Sequence, residues 1–415
     1  MSRPTPLAPR PPAGGWPADL DLADPAFWGR QASHRMAAFA RLRELPEPPF
    51  IPDRGAGFYA LVRHRDVVEA SRRPDVFISG PGVTTPRPAR WARVVFGDSM
   101  VNLDDPRHAR LRGIVARAFT PRVVAKIVED TRRTATEIVD DVAARAPADF
   151  VEAVAGPMPF RVICAMMGIP EHLRPPILSQ INQSTRHTGV HRGLRIPGSG
   201  LRALARMHRL VAAVGRERRR HPTDDLISAL VTADVDGRHL TGRELGSFFS
   251  LLLVAGVETT RNAIAHGLTL LTDHPDQREL LLSDVDQHLD GFVDEVVRYA
   301  SPIIQFRRTL ARDHEMNGFR YRAGDQVVLF YAAANRDPTV FADPDRFDIT
   351  RRPNPHVGFG GGGPHFCLGT SLARQEMGVL FRELYARLPD LRAAGPPELI
   401  PSTFDNRVGH LLFAF

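Results

Sequence analysis

The chain is poor in cysteine and lysine, and it has no long apolar run. Its 415 residues include two cysteines, Cys164 and Cys367. Two thiols cannot build a disulfide framework, a zinc ribbon or an iron–sulfur site, and a reducing cytoplasm suits such a chain best. No stretch approaches the ~18 apolar residues of a membrane span, which excludes an integral membrane protein. The opening residues, MSRPTPLAPRPPAGGWP, lack the apolar core of a secretory signal and predict no anchor. Lys126 is the one lysine. The rest of the positive charge is arginine.

What the chain does contain suits a large buried core. Hydrophobic residues make up 43% and charged residues 24%, close to an ordinary globular protein and far from disorder. The net charge is +7. The arginines are interleaved with acids, which reads as solvated helix faces, and the densest run is 216–220. No basic stripe carries aromatics for stacking, so nucleic acid is not an expected partner. A local basic patch for an acidic protein partner fits the pattern better.

Residues 1–17 hold six prolines and read as a loose tail, leaving 18–415 as a single large domain. The patterns predict a strand at 57–62, a short helix at 66–71 and a Gly/Pro/Thr-rich loop at 79–99. Helices follow at about 106–118, 121–145, 157–168, 172–182, 199–220 and 223–233. Residues 183–198 read as a connection. Short strands are expected near 304–311, 318–322 and 326–330, then an irregular stretch at 334–366 and a final helix at 367–388. No internal repeat occurs. The fold class is mainly α with a small β portion.

The longest helix starts at a capping box, Thr241 with Glu244, and stops at Pro275. About 32 residues at ~1.5 Å each span roughly 48 Å, and so long an apolar helix must cross the core. In its middle stands Ala255-Gly256-Val257-Glu258-Thr259-Thr260. A glycine and two threonines are unfavourable inside a helix, which predicts a local distortion with a purpose. Glu258 and Thr259 offer an acid and a hydroxyl for a proton relay. The plainer alternative is an exposed glutamate and a threonine bonded to its own turn.

Cys367 lies in Phe359-Gly-Gly-Gly-Gly-Pro-His-Phe-Cys-Leu-Gly369. Glycines allow close backbone approach, and a following helix N-terminus favours a thiolate. Such a thiolate suits either a nucleophile or an axial ligand to haem iron. Cys164 reads as an ordinary buried thiol. Glu295 and Arg298 stand at i, i+3 on one helix face. His108 and Arg112, at i, i+4, put two donors on another.

In this order and at these separations, the segments resemble the cytochrome P-450 haem-thiolate monooxygenases over nearly the whole chain. The cysteine loop is the specific part. Ala-Gly-x-Glu-Thr-Thr, Glu-x-x-Arg and His-x-x-x-Arg corroborate it, as do 334–338 and 343–347. The resemblance implies that family's fold, with haem b between the long central helix and the cysteine-loop helix. Cys367 would be the iron's thiolate ligand, with Phe359 and Gly369 beside it. His108, Arg112, Arg308 and His365 match positions that bind haem propionates. Ala255 and Gly256 would line the oxygen groove, and Glu258 and Thr259 would deliver protons. Glu295 and Arg298, with Arg346, would form a structural ion-pair core. Three departures stand out: the Phe359-to-Cys367 spacing is one residue longer than the commonest, residue 258 is Glu where Asp is common, and His365 stands where Arg is frequent.

The resemblance is to the soluble bacterial type, a cytoplasmic monomer that draws electrons from NAD(P)H through a ferredoxin and its reductase. Arg110, Arg112, Arg117, Arg122 and Lys126 would supply a basic docking face. Candidate pocket walls are Val254, Val257, Ile303, Ile304, Phe306 and Phe404, mostly apolar and suited to a lipophilic substrate. The wording around 251–267 and 354–359 resembles members that oxidise steroids and methyl-branched fatty lipids. Tailoring of a polyketide or macrolide is the alternative, and a haem-based sensor is the non-catalytic one.

Overall fold

A computed structural model describes residues 16–53, 55–85, 99–146, 148–175, 177–178, 209, 211–232 and 239–415. Residues 1–15 of the expected 1–17 tail and most of the 79–99 loop lie outside these residues. So do the 183–198 connection and about half of the two helices expected beside it. The rest falls into two compact units. The first comprises residues up to 88, 291–370 and 400–407; the second comprises 89–290, 371–399 and 408–415. Neither is a continuous stretch, so no linker divides the sequence in two.

The first unit holds the main sheet. β1 (Phe50–Ile51), β2 (Phe58–Leu61), β3 (Phe77–Ile78), β4 (Gln305–Leu310) and β7 (Gln326–Phe330) form it in the order β1-β2-β7-β4-β3. β5 (His314–Met316) and β6 (Phe319–Tyr321) form a separate hairpin. β7 is central and buried at every residue, as expected of a run of Val, Leu and Phe covered on both faces. It pairs parallel with β2 and antiparallel with β4. Trp28, Phe39, Phe58 and Phe330 fill the core on one side of this sheet. The expected strands at 57–62, 304–311 and 326–330 all formed.

The second unit is helical. Pro121–Arg145 forms as the sequence indicates: Thr120 accepts from the Val123 amide, and Pro121 takes the first helical position. Pro157–Met166 packs against it. Helical winding then runs without interruption from 242 to 273. The Thr241–Glu244 capping box is present at its start, with both reciprocal bonds made. The expected distortion is a π-turn over Leu253–Glu258, between Gly242–Leu252 and Thr259–Asp273. Among the described residues, no helix is long and apolar enough to cross a membrane.

Candidate functional site: a glycine-rich thiol loop and a distorted helix

In the first unit, the cysteine loop is built on backbone that side chains would block. Gly360, Gly362 and Gly363 take φ of +102°, +90° and +75°. A Cβ on Gly363 would stand 2.2 Å from the carbonyl oxygen of Ser71, at the end of the helix His64–Arg72. The loop closes on itself, the Cys367 amide donating to Phe359 O at 2.9 Å. Cys367 is exposed and not part of a disulfide. Thr370 Oγ1 donates to Cys367 O at 2.8 Å, tying the loop to the start of the helix Thr370–Arg387. His365 Nε2 lies 3.2 Å from Ser79 Oγ, a partner the sequence did not indicate. Arg308 is buried on β4, its guanidinium donating to Arg307 O at 2.8 Å.

The ion-pair core is real and more elaborate than expected. Glu295 and Arg298 are both fully buried, joined by bonds of 2.7 and 2.8 Å. Arg298 also donates to the carbonyls of Asn335, Pro344 and Arg346. Glu295 further accepts from the Asp348 amide, Asn354 Nδ2 and Arg351 Nε. The assignment of Arg346 is therefore corrected. Its side chain is exposed and only its carbonyl takes part; Arg351 brings the second guanidinium. The sequence offers four arginines between 336 and 352, and spacing alone does not say which one turns inward.

In the second unit, His108 is buried on the helix Arg107–Ala118, with Arg112 half-buried one turn on. Burial pushes the His108 imidazole below its ordinary pKa; Asp105, 3.5 Å away, opposes the shift and Arg112 adds to it. On the central helix, Glu258 is buried, not exposed. Its carboxylate stands 3.4 Å from the guanidinium of Arg261, a pairing the motif alone did not reveal, although the i, i+3 spacing was there to read. Thr259 Oγ1 donates to Ala255 O across the distorted turn. The hydroxyl is therefore bonded locally while its oxygen can still accept. Gly256 has a packing reason, since a Cβ there would meet Ile163 Cδ1 at 2.5 Å.

Two pocket assignments need correction. Val254 is 64% exposed and Ala255 is exposed too, but Val257 is 2% exposed and belongs to the core. In an α-helix, residues three apart share a face; the wider π-turn carries Val257 off it. Ile304 is likewise packed in the core, with Phe330 and Trp28. Ile303, Phe306 and Phe404 are half-buried, and the rings of Phe306 and Phe404 meet edge-on at 5.3 Å.

The residues fit a haem-thiolate site. The thiol loop presents exposed Phe366 and Cys367. The central helix presents an apolar exposed face, Val254–Ala255, where the residues around it are largely buried. Taken by itself, the thiol loop suits a soft-ligand metal, and the helix face suits an apolar group.

A family model for cytochrome P450 matches residues 202–387. A solved Mycobacterium marinum cytochrome P-450 in complex with pseudoionone is similar over 100% of both chains, at 39% identity and a TM-score of 0.86. The chain belongs to the cytochrome P-450 family and has its fold. It is a haem- and O2-dependent monooxygenase. Within the family, it is 44% identical over 407 residues to the methyl-branched lipid omega-hydroxylase of Mycobacterium tuberculosis, covering 93% of this chain and 92% of that protein. It is 36% identical over 411 residues to the steroid C26-monooxygenase of the same organism, covering 96% and 93%.

Proposed function

We propose that this enzyme hydroxylates a terminal or near-terminal carbon of a methyl-branched fatty lipid or a steroid. The observation that carries the reading is the 44% identity to the branched-lipid hydroxylase along almost the whole chain. The apolar candidate residues support it: Ile303, Phe306 and Phe404 in the first unit, and Val254 in the second, offer no charge to bind a polar head. Electrons would come from NAD(P)H through a ferredoxin and its reductase in the cytoplasm. Arg110, Arg112, Arg117, Arg122 and Lys126 would form the docking face.

In this reading, Cys367 supplies the thiolate that ligates iron. Arg112 and Arg308 would neutralise the propionates, and His108 and His365 would donate hydrogen bonds to them. When bound, the haem activates dioxygen for insertion of one oxygen atom into a C–H bond. The chain's own part is placement and protons. The glycine loop fixes the sulfur. Glu258, oriented by Arg261, places a carboxylate inside the protein to relay protons, and Thr259 passes protons on through its hydroxyl. The Phe306–Phe404 pair excludes water from the reacting carbon.

A titration of the purified haem protein with branched fatty acids, sterols and macrolides tests the reading. Branched acids or sterols should shift the haem absorption and yield a terminal alcohol. A spectral response and product with macrolides alone would favour tailoring chemistry. A response without any product, given electron partners, would favour a sensor.

A further inference from the structure

We infer that Gln305 is a positioning residue that sets which carbon is oxidised, by locking two pocket walls to the strand between them. The inference rests on the lipid reading for its substrate, and on this chain's own hydrogen bonds for its device. Gln305 opens β4 and is 1% exposed. Its Nε2 donates to Thr403 O at 3.0 Å. Thr403 Oγ1 donates to Thr85 O at 2.9 Å. Thr85 Oγ1 in turn donates to Gln305 Oε1 at 3.4 Å. Three residues more than 300 positions apart at the extremes thus close a ring in which each gives and accepts. Such rings strengthen one another and lose strength together.

Backbone contacts show what the ring joins. On one side of β4, the Arg307 amide donates to Val83 O at 2.8 Å. On the other, the Ile304 amide donates to Phe404 O at 2.8 Å, and Ile303 forms an antiparallel bridge with Asp405. The 402–405 turn is stiff in itself, Ser402 Oγ donating to Asp405 and accepting from the Phe404 amide. It can therefore move only as a body, and two side chains tie this body to the segment at 83–85: Thr403 directly, and Gln305 by bridging Thr403 and Thr85. Directly next to two members of the ring stand Phe306 and Phe404, whose rings meet edge-on. The ring backs this aromatic pair. Held, the pair stops an apolar chain end-on and presents its tip. Released, it lets the chain slide further, and oxidation moves inward along it.

The test uses the haem-loaded enzyme, Gln305→Leu, Thr403→Val and the double variant. An iso-branched long-chain fatty acid is the substrate. Each lost hydrogen bond is worth about fivefold in an equilibrium. Amide exchange in peptides covering 79–85 and 402–407 should rise together by about that factor in either single variant. The double variant should add little. The ratio of terminal to in-chain alcohol should fall by a similar factor. Exchange that rises in one segment only, or in neither, overturns the lock. Exchange that rises in both with an unchanged product ratio overturns its role in specificity. If the wild type oxidises neither branched acids nor steroids, the lipid reading fails, and the exchange measurement still decides the lock.

Discussion

Glu376 sits on the helix Thr370–Arg387, nine residues after Cys367, and is 1% exposed. Burial raises its carboxyl from the ordinary 4.5 to about 8, with a hydrogen bond to Thr260 opposing the rise. At neutral pH the folded protein keeps this acid protonated, whereas the unfolded chain ionises it. The folded state therefore binds the extra proton, and its stability falls as pH rises. The contribution is whole below pH 4.5 and is spent by about pH 8. A span of some 3.5 units at ~1.4 kcal/mol each comes to about 5 kcal/mol, and about 3 kcal/mol of it is gone by pH 7. Glu376→Gln keeps a neutral partner for Thr260 and cannot ionise. Urea midpoints of the haem-loaded protein between pH 5 and 8.5 should fall for the wild type and stay nearly level for the variant. The infrared carbonyl band of a buried protonated acid should be present at pH 7 and absent in Glu376→Gln. Parallel pH slopes for the two proteins would refute the reasoning, since the buried acid would then be ionised in both states.

Cys367→His should lose the strongly red-shifted absorption of the reduced carbon monoxide complex; a wild type that never shows it has no thiolate ligand. Arg298→Ala strands the buried Glu295 carboxylate at a cost of roughly 3–5 kcal/mol and should give little haem-loaded protein. Arg346→Ala, which leaves the carbonyl in place, should stay within about 0.5 kcal/mol of wild type in denaturant unfolding. Thr259→Ala should still bind haem and substrate and consume reductant, but release hydrogen peroxide in place of product. Glu258→Gln should slow the whole cycle by ~100-fold or more. Wild-type product yield per reductant in Thr259→Ala would mean that the hydroxyl only caps its turn.

Elements whose signals are local were legible. The helix Pro121–Arg145 has a threonine cap and a first-position proline, and the capping box at Thr241 is written in two residues. The strand Gln326–Phe330 is a continuous apolar run after its first residue. The distorted turn was legible as a breach of propensity at Gly256, Thr259 and Thr260. What escaped depends on direction rather than type. Val257 and Ile304 are apolar residues beside apolar residues, and only the local winding or strand face decides which of them looks outward. Arg346 and Arg351 differ by five positions in an irregular stretch with no period to phase them. Glu376 gave no signal at all, because a glutamate two residues from Arg374 and six from Arg382 looks like helix surface until its neighbours are known.

The π-turn at Leu253–Glu258 has a further consequence for how this helix can change. A π-turn is, in effect, one surplus residue wound into an α-helix, and it advances everything after it by about 100°. The stretches before and after it thus keep separate phases. Point substitutions inside the turn change what is presented there but leave the phase alone. Removing one residue would not: the turn would rewind as ordinary α-helix, and the carboxylate of Glu258 and the hydroxyl of Thr259 would swing by that same angle relative to Gly242–Leu252. The direction in which the acid–alcohol pair looks is set by the length of the segment as much as by its residues.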